Sequence, residues 1–118
     1  MKLRWLGVLA VCGLALALPR YAHAHAMLVQ STPQAHATVQ GPEISIELKY
    51  NARVDATRST LVLVAPDGKT APLAASQSGP GTLAAKAQQL NHGGYVLRWQ
   101  VLSSDGHVSR GEIPFTVK

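Results

Sequence analysis

Ser103-Ser104-Asp105-Gly106-His107 places a carboxylate and an imidazole two residues apart, with only a glycine between them. On a locally extended backbone, residues i and i+2 point to the same side. Asp105 and His107 would then aim at one point, and Gly106 adds no side chain to part them. That is half of a metal site. The same five residues also read as a polar turn between strands, because Asp and Gly are turn residues. Taken alone, the stretch favours the turn. A metal site needs further donors from elsewhere in the chain.

The other end of the chain supplies them. Lys2 and Arg4 precede an apolar run over residues 6–18, and Ala22-His23-Ala24 is a small-residue cleavage signal. This is the pattern of a secretory signal peptide over residues 1–24, a cleavable helix. The run is shorter than the roughly 18 residues that a membrane span needs, so no stable membrane insertion is expected after cleavage. Cys12 follows Val11 rather than a small residue, and there is no twin arginine, so general secretion is expected without lipid attachment. Cleavage after Ala24 makes His25 the first residue of a domain over residues 25–118. His25 then offers its α-amine and its imidazole, which can close a chelate ring on one ion. The amine has a reference pKa of about 8, so a metal displaces its proton at modest cost. Two nitrogens from His25, an oxygen from Asp105 and a nitrogen from His107 form an N₃O set. A tetragonal N,O environment suits Cu(II), which also heads the divalent affinity order, although Zn(II) or Ni(II) would bind such donors too. The plainer reading is that His25 is simply the residue after a cleavage site.

Composition bounds the rest. At 118 residues there is room for one domain, and only 14% of them are charged, which argues against long solvated helices. Lys2, Arg4 and Arg20 fall in the leader, so the formal charge drops from +5 to +2 on cleavage. The remaining basic residues are scattered without interleaved aromatics, which gives nucleic-acid binding no support. The single cysteine also lies in the leader, so the domain must rely on a packed core, aided by any bound metal.

Strands must position the donors. Ile44, Ile46, Leu48 and Tyr50 alternate with polar residues, and so do Tyr95, Leu97, Trp99 and Val101. Shorter strands are expected over residues 27–31, 61–65, 70–74, 83–90 and 113–117. Residues 34–42 and 77–81 read as loops, and 66–69 and 91–94 as turns. Pro114 places an open edge at its position in the last strand. The expected fold is all-β, an antiparallel Greek-key β-sandwich or barrel of seven strands.

The start His25-Ala26-Met27-Leu28-Val29-Gln30-Ser31-Thr32-Pro33 resembles the opening of the CopC family of periplasmic copper-binding proteins. So do Gly94-Tyr95-Val96-Leu97-Arg98-Trp99, Ser103 to His107, Gly111 and Phe115-Thr116-Val117. The resemblance covers residues 25–118. It implies an Ig-like, cupredoxin-like barrel and a Cu(II) site made of His25, Asp105 and His107. It also implies a CopD-type membrane copper transporter as a partner. Two departures stand out. Ala52 occupies the place where some members carry an additional Glu ligand, which leaves Asn51 and Asp55 as nearby substitutes with little to support them. Residues 62–76 hold no methionine where relatives have a Cu(I)-binding cluster, and Met27 is the only one after residue 24. A Cu(II)-only site is therefore expected.

His36 and His92 are expected to be solvated, Tyr95 and Trp99 to be core residues, and Arg98 and Glu47 to face solvent. Ser103 and Ser104 are placed to hydrogen-bond the Asp105 carboxylate or nearby backbone. The expected function is periplasmic copper capture without turnover. One alternative is a histidine-brace copper oxidase or oxygenase, since an N-terminal His and a second His also form that centre. The short chain, the lack of an aromatic substrate surface and the equatorial Asp105 argue against it. The other alternative is a metal-free Ig-like interaction module, for which residue 25 would be irrelevant.

Overall fold

Period-two alternation builds two sheets in the computed structural model, which describes residues 26–118. His25 and the 1–24 leader, with its expected helix, lie outside the described residues. The strands are β1 (Leu28–Thr32), β2 (Thr38–Val39), β3 (Ile44–Tyr50), β4 (Thr60–Val64), β5 (Thr70–Leu73), β6 (Ser76–Gly79), β7 (Thr82–Ala87), β8 (Gly93–Leu102) and β9 (Val108–Val117). One 3₁₀ turn, Ala56–Arg58, interrupts them. The four-stranded sheet runs β1-β3-β7-β6 and the five-stranded sheet β2-β9-β8-β4-β5. The chain crosses repeatedly between two sheets that keep separate edges, so the fold is a sandwich rather than a closed barrel.

The inward positions are the ones that alternation marks. Ile44, Ile46, Leu48 and Tyr50 are buried on β3, and Tyr95, Leu97, Trp99 and Val101 on β8. Each fully buried aliphatic side chain of this kind contributes about 1.5–3 kcal/mol. Tyr95 stacks on Phe115, its direct partner on β9, with ring centroids 5.7 Å apart. Tyr50 meets Trp99 edge-on at 5.3 Å across the two sheets. Glu47 and Arg98 face solvent, where Arg98 Nε pairs with Glu112 at 3.1 Å. Residues 83–90, whose Ala, Lys and Gln content suits helix, hold β7 instead, with Leu83, Ala85 and Ala87 turned inward. Cross-strand packing overrides the weak helix preference there.

The sequence reading needs correction in four places. Nine strands stand among the described residues where seven were expected. The loop expected over 34–42 contains β2, which pairs with β9 in parallel, so the sheets are not wholly antiparallel. The loop expected over 77–81 is in part β6, which takes in Ser78 and Gly79 through a register shift between Gln77 and Gly79, while Pro80 and Gly81 make the turn to β7. Both added strands are too short to leave a period in the sequence. Pro114 does not stand at the open edge expected, because β9 lies between β2 and β8. It pairs with Val96 on one side, and its carbonyl accepts from the His36 amide at 2.6 Å on the other, so its missing N–H costs no ladder bond.

Gly111 lies directly opposite Trp99, and a Cβ there would come within 2.3 Å of the indole Cζ2. The ring occupies the space a side chain would need. Gly111→Ala is expected to destabilise the fold by about 1–3 kcal/mol through overpacking. Denaturant unfolding followed by Trp99 fluorescence checks this.

Candidate metal centre

β8 ends at Leu102, β9 begins at Val108, and the residues between them form a tight turn. The Gly106 amide donates to the Ser103 carbonyl at 2.9 Å, and the Ser103 amide donates to the His107 carbonyl at 2.9 Å. Gly106 takes φ +91°, a region open to glycine and costly for other residues. The expected extended backbone is therefore absent, because the chain must reverse between two paired strands. Asp105 and His107 still meet. The turn folds His107 Nδ1 to 3.3 Å from Asp105 Oδ1.

Asp105 Oδ1 collects several contacts. It accepts from the Ser103 hydroxyl and from the His107 amide, the latter at 3.1 Å. These bonds, the Ser103 hydroxyl foremost, hold the Asp105 carboxyl below the ordinary carboxylate range. Ser103 is 3% exposed and is the buried polar residue among those described. Its hydroxyl also lies 3.1 Å from the His107 carbonyl. One proton serves one acceptor at a time, and the charged carboxylate is the stronger. Asp105 and His107 themselves are about half exposed, with side chains 44% and 54% accessible. A rigid buried serine thus steers an accessible carboxylate–imidazole pair. Ser103 takes the role adjacency suggested. No contact of Ser104 with the Asp105 carboxylate appears, and its amide instead donates to the Arg53 carbonyl at 3.1 Å.

The segment after β3 joins this turn to the beginning of the described chain. The Asn51 amide donates to the Met27 carbonyl at 3.0 Å, and the Met27 amide donates to Asn51 Oδ1 at 2.8 Å. Three residues on, Val54 bridges Ser103, and the Asp55 amide donates to the Leu102 carbonyl at 3.0 Å. Ala26 is 3% exposed, anchored in the core. Met27, two residues after His25, and the Asp105–His107 turn are thereby held on two sides of one short segment. A cleft of about 500 Å³, lined by Arg53, Val54, Asp55, Gln77, Pro80 and Ser104, borders the turn.

Neither substitute for the absent Glu is turned to this purpose. Asn51 clamps Met27. Asp55 caps the 3₁₀ turn through the Thr57 amide and hydroxyl, at 3.0 and 2.7 Å, and lies 3.7 Å from Arg58 Nε. The Thr57 and Arg58 contacts keep its carboxyl below the usual range. Ala52 packs against the core. His36 and His92 are exposed, as expected. Among the described residues no third His, Cys, Asp or Glu gathers with Asp105 and His107. The clamping role of Asn51 escaped the sequence reading. Its one signal is a polar residue capable of both donating and accepting at the end of a strongly alternating strand.

The sandwich is the fold of one family of known structures. The CopC domain model matches residues 28–118. The chain is 32% identical to copper resistance protein C of Xanthomonas campestris pv. juglandis, over 82% of this chain and 83% of that one. It is 31% identical to protein YobA of Escherichia coli K12, over 80% of each. The crystal structure of CopC from Methylosinus trichosporium OB3b superposes with a TM-score of 0.74 at 31% identity, covering 80% of this chain and 94% of that one. PcoC, a methionine-rich copper resistance protein from Escherichia coli, superposes at 0.66 with 30% identity, covering 80% and 100%. The chain belongs to the CopC family.

Ser103→Ala removes the largest influence on the Asp105 carboxyl. Its pKa is expected to move up toward the ordinary aspartate value, read by NMR titration of the metal-free protein. The sign for stability follows. A depressed folded-state pKa adds stability above the unfolded value and loses it as pH falls through the folded one. The variant should therefore lose part of its acid-side stability gradient and leave its relative stability unchanged well below both values.

Proposed function

We propose that this chain is a periplasmic Cu(II)-binding protein that captures copper for sequestration, resistance or delivery. The observation that carries the reading is the Asp105–His107 pair, 3.3 Å apart on a turn tied by the 51–55 segment to Met27, two residues after His25. Residues 1–24 act as the signal peptide, and the domain over 25–118 works in the periplasm. Removal of the leader gives His25 a free amine. Its amine and imidazole, with Asp105 and His107, complete a set of three nitrogens and one oxygen. His107 Nδ1 and the Asp105 carboxylate stand side by side, 3.3 Å apart, as two neighbouring donors to one ion. The contacts on Asp105 gather at Oδ1, which directs Oδ2 to the metal.

The chemistry is capture rather than turnover. Imidazole, amine and carboxylate are hard or borderline donors that favour Cu(II) over Cu(I). Exposure of both side chains suits loading and unloading from solvent. A CopD-type membrane copper transporter is the receiver this reading implies. That the Xanthomonas and Escherichia relatives are copper resistance proteins supports copper as the cargo.

Paired Cu(II) titrations test the site. Protein beginning at His25 is compared with protein carrying one additional residue ahead of it, and with His107→Ala. Loss of a bond that merely orients a ligand costs about 10–100-fold in affinity, so losing a donor should cost at least the upper end of that range. Equal affinities with and without the added residue would remove His25 from the site. Unchanged affinity in His107→Ala would remove the turn.

A further inference from the structure

We propose that Gln77, on the opposite sheet from the turn, is a positioning residue for the copper site. The proposal rests on the reading of Asp105 and His107 as ligands.

The segment over residues 53–56 belongs to neither sheet, yet the turn hangs on it. The Arg53 carbonyl receives the Ser104 amide, and the Asp55 amide reaches the Leu102 carbonyl. The Val54 amide is taken by the Pro80 carbonyl at 3.0 Å. Two further backbone groups, the Val54 carbonyl and the Ala56 amide, are met by the side chain of Gln77. Its Nε2 donates to the Val54 carbonyl at 3.0 Å and its Oε1 accepts from the Ala56 amide at 2.9 Å. The second Nε2 proton goes to the Gly79 carbonyl at 2.7 Å. A glutamine amide carries the donor and acceptor of a peptide group. Here it does the work of a neighbouring strand. Val54 and Ala56 are both buried, at 3% and 7% exposure, so their backbone groups have little access to water.

The residue type is specific. A carboxylate at position 77 would keep an acceptor for the Ala56 amide but would face the Val54 and Gly79 carbonyls without a proton to give. An aliphatic side chain would leave all of these groups unmet. The 53–56 segment then loses its side-chain hold on β6, wholly with an aliphatic residue and in part with a carboxylate. The height of the turn then varies relative to the Met27–Asn51 clamp. The ligands stay chemically intact while the distance across the site spreads. Gln77 also lines the cleft beside Ser104, so this support comes from the side of the turn open to solvent.

The test uses processed protein whose N-terminus has been verified as His25. Gln77→Leu and Gln77→Glu are compared with wild type, with His107→Ala, and with Ile44→Val, a mild core change at the opposite end of β3 from Tyr50. Cu(II) affinity, the electron paramagnetic resonance spectrum of the bound ion, melting temperature, and amide exchange in the metal-free protein are read for each. Both Gln77 variants are expected to bind Cu(II) about tenfold more weakly, with broadened spectral lines. Exchange at the Val54, Asp55 and Ser104 amides should speed up before any metal is added. Ile44→Val should lower the melting temperature and leave the affinity and spectrum as in wild type. If the Gln77 variants match Ile44→Val in affinity and spectrum while His107→Ala loses binding, Gln77 is structural only and the proposal falls. If His107→Ala binds normally, the reading of the site itself falls, and the proposal with it. The two failures are told apart by that one control. Should Gln77→Leu fail to fold, Gln77→Glu alone decides, since it retains the size of the side chain.

Discussion

The candidate site depends on one backbone seam, the residues that follow β3. Asn51 exchanges two hydrogen bonds with Met27 on one side, and Arg53 to Asp55 hold Leu102, Ser103 and Ser104 on the other. The beginning of the described chain and a turn nearly 80 residues later meet there. Each bond is modest, about 0.5–1.5 kcal/mol net. Their value lies in direction. They fix where two distant pieces of chain stand relative to one another, which is the condition for a chelate assembled from both.

The sandwich supplies the rigidity behind the seam. β3 and β8 each put four buried side chains into the core, and each runs out toward the site end of the molecule. Tyr50 and Trp99 touch across the sheets just beneath it. Their burial leaves the Tyr50 hydroxyl and the Trp99 Nε1 without partners among the described residues, and burial also raises the tyrosine pKa. This edge-on contact packs β3 against β8 across the core. Above it, Asp105 and His107 remain half exposed. A rigid floor with an accessible pair of ligands fits a protein that takes up an ion and gives it away.

Much of this was legible in the residue pattern. Strong alternation identified β3 and β8, and the core side chains on both fall where it placed them. β2 and β6 were missed because two to four residues cannot show a period, and because parallel pairing leaves no turn signal. The Asp105–His107 proximity was legible for the wrong reason. Spacing on an extended strand suggested it, whereas a left-handed Gly106 and the buried Ser103 hydroxyl bring it about. Asn51 and Gln77 were invisible as supports, since a side chain bonded to a remote backbone group follows no sequence periodicity. The expectation for position 25 rested on the cleavage signal and on the family resemblance, and that residue lies outside the described residues.

The central claim is that one Cu(II) ion is held jointly by the new N-terminus and the turn. Electron paramagnetic resonance of the copper-loaded, processed protein, recorded with and without ¹⁵N labelling confined to histidine, tests it most directly. The account predicts coupling to three nitrogens, all changed by the label because the amine of His25 belongs to a histidine too. Coupling to two nitrogens or fewer, or a nitrogen insensitive to the histidine label, would contradict it.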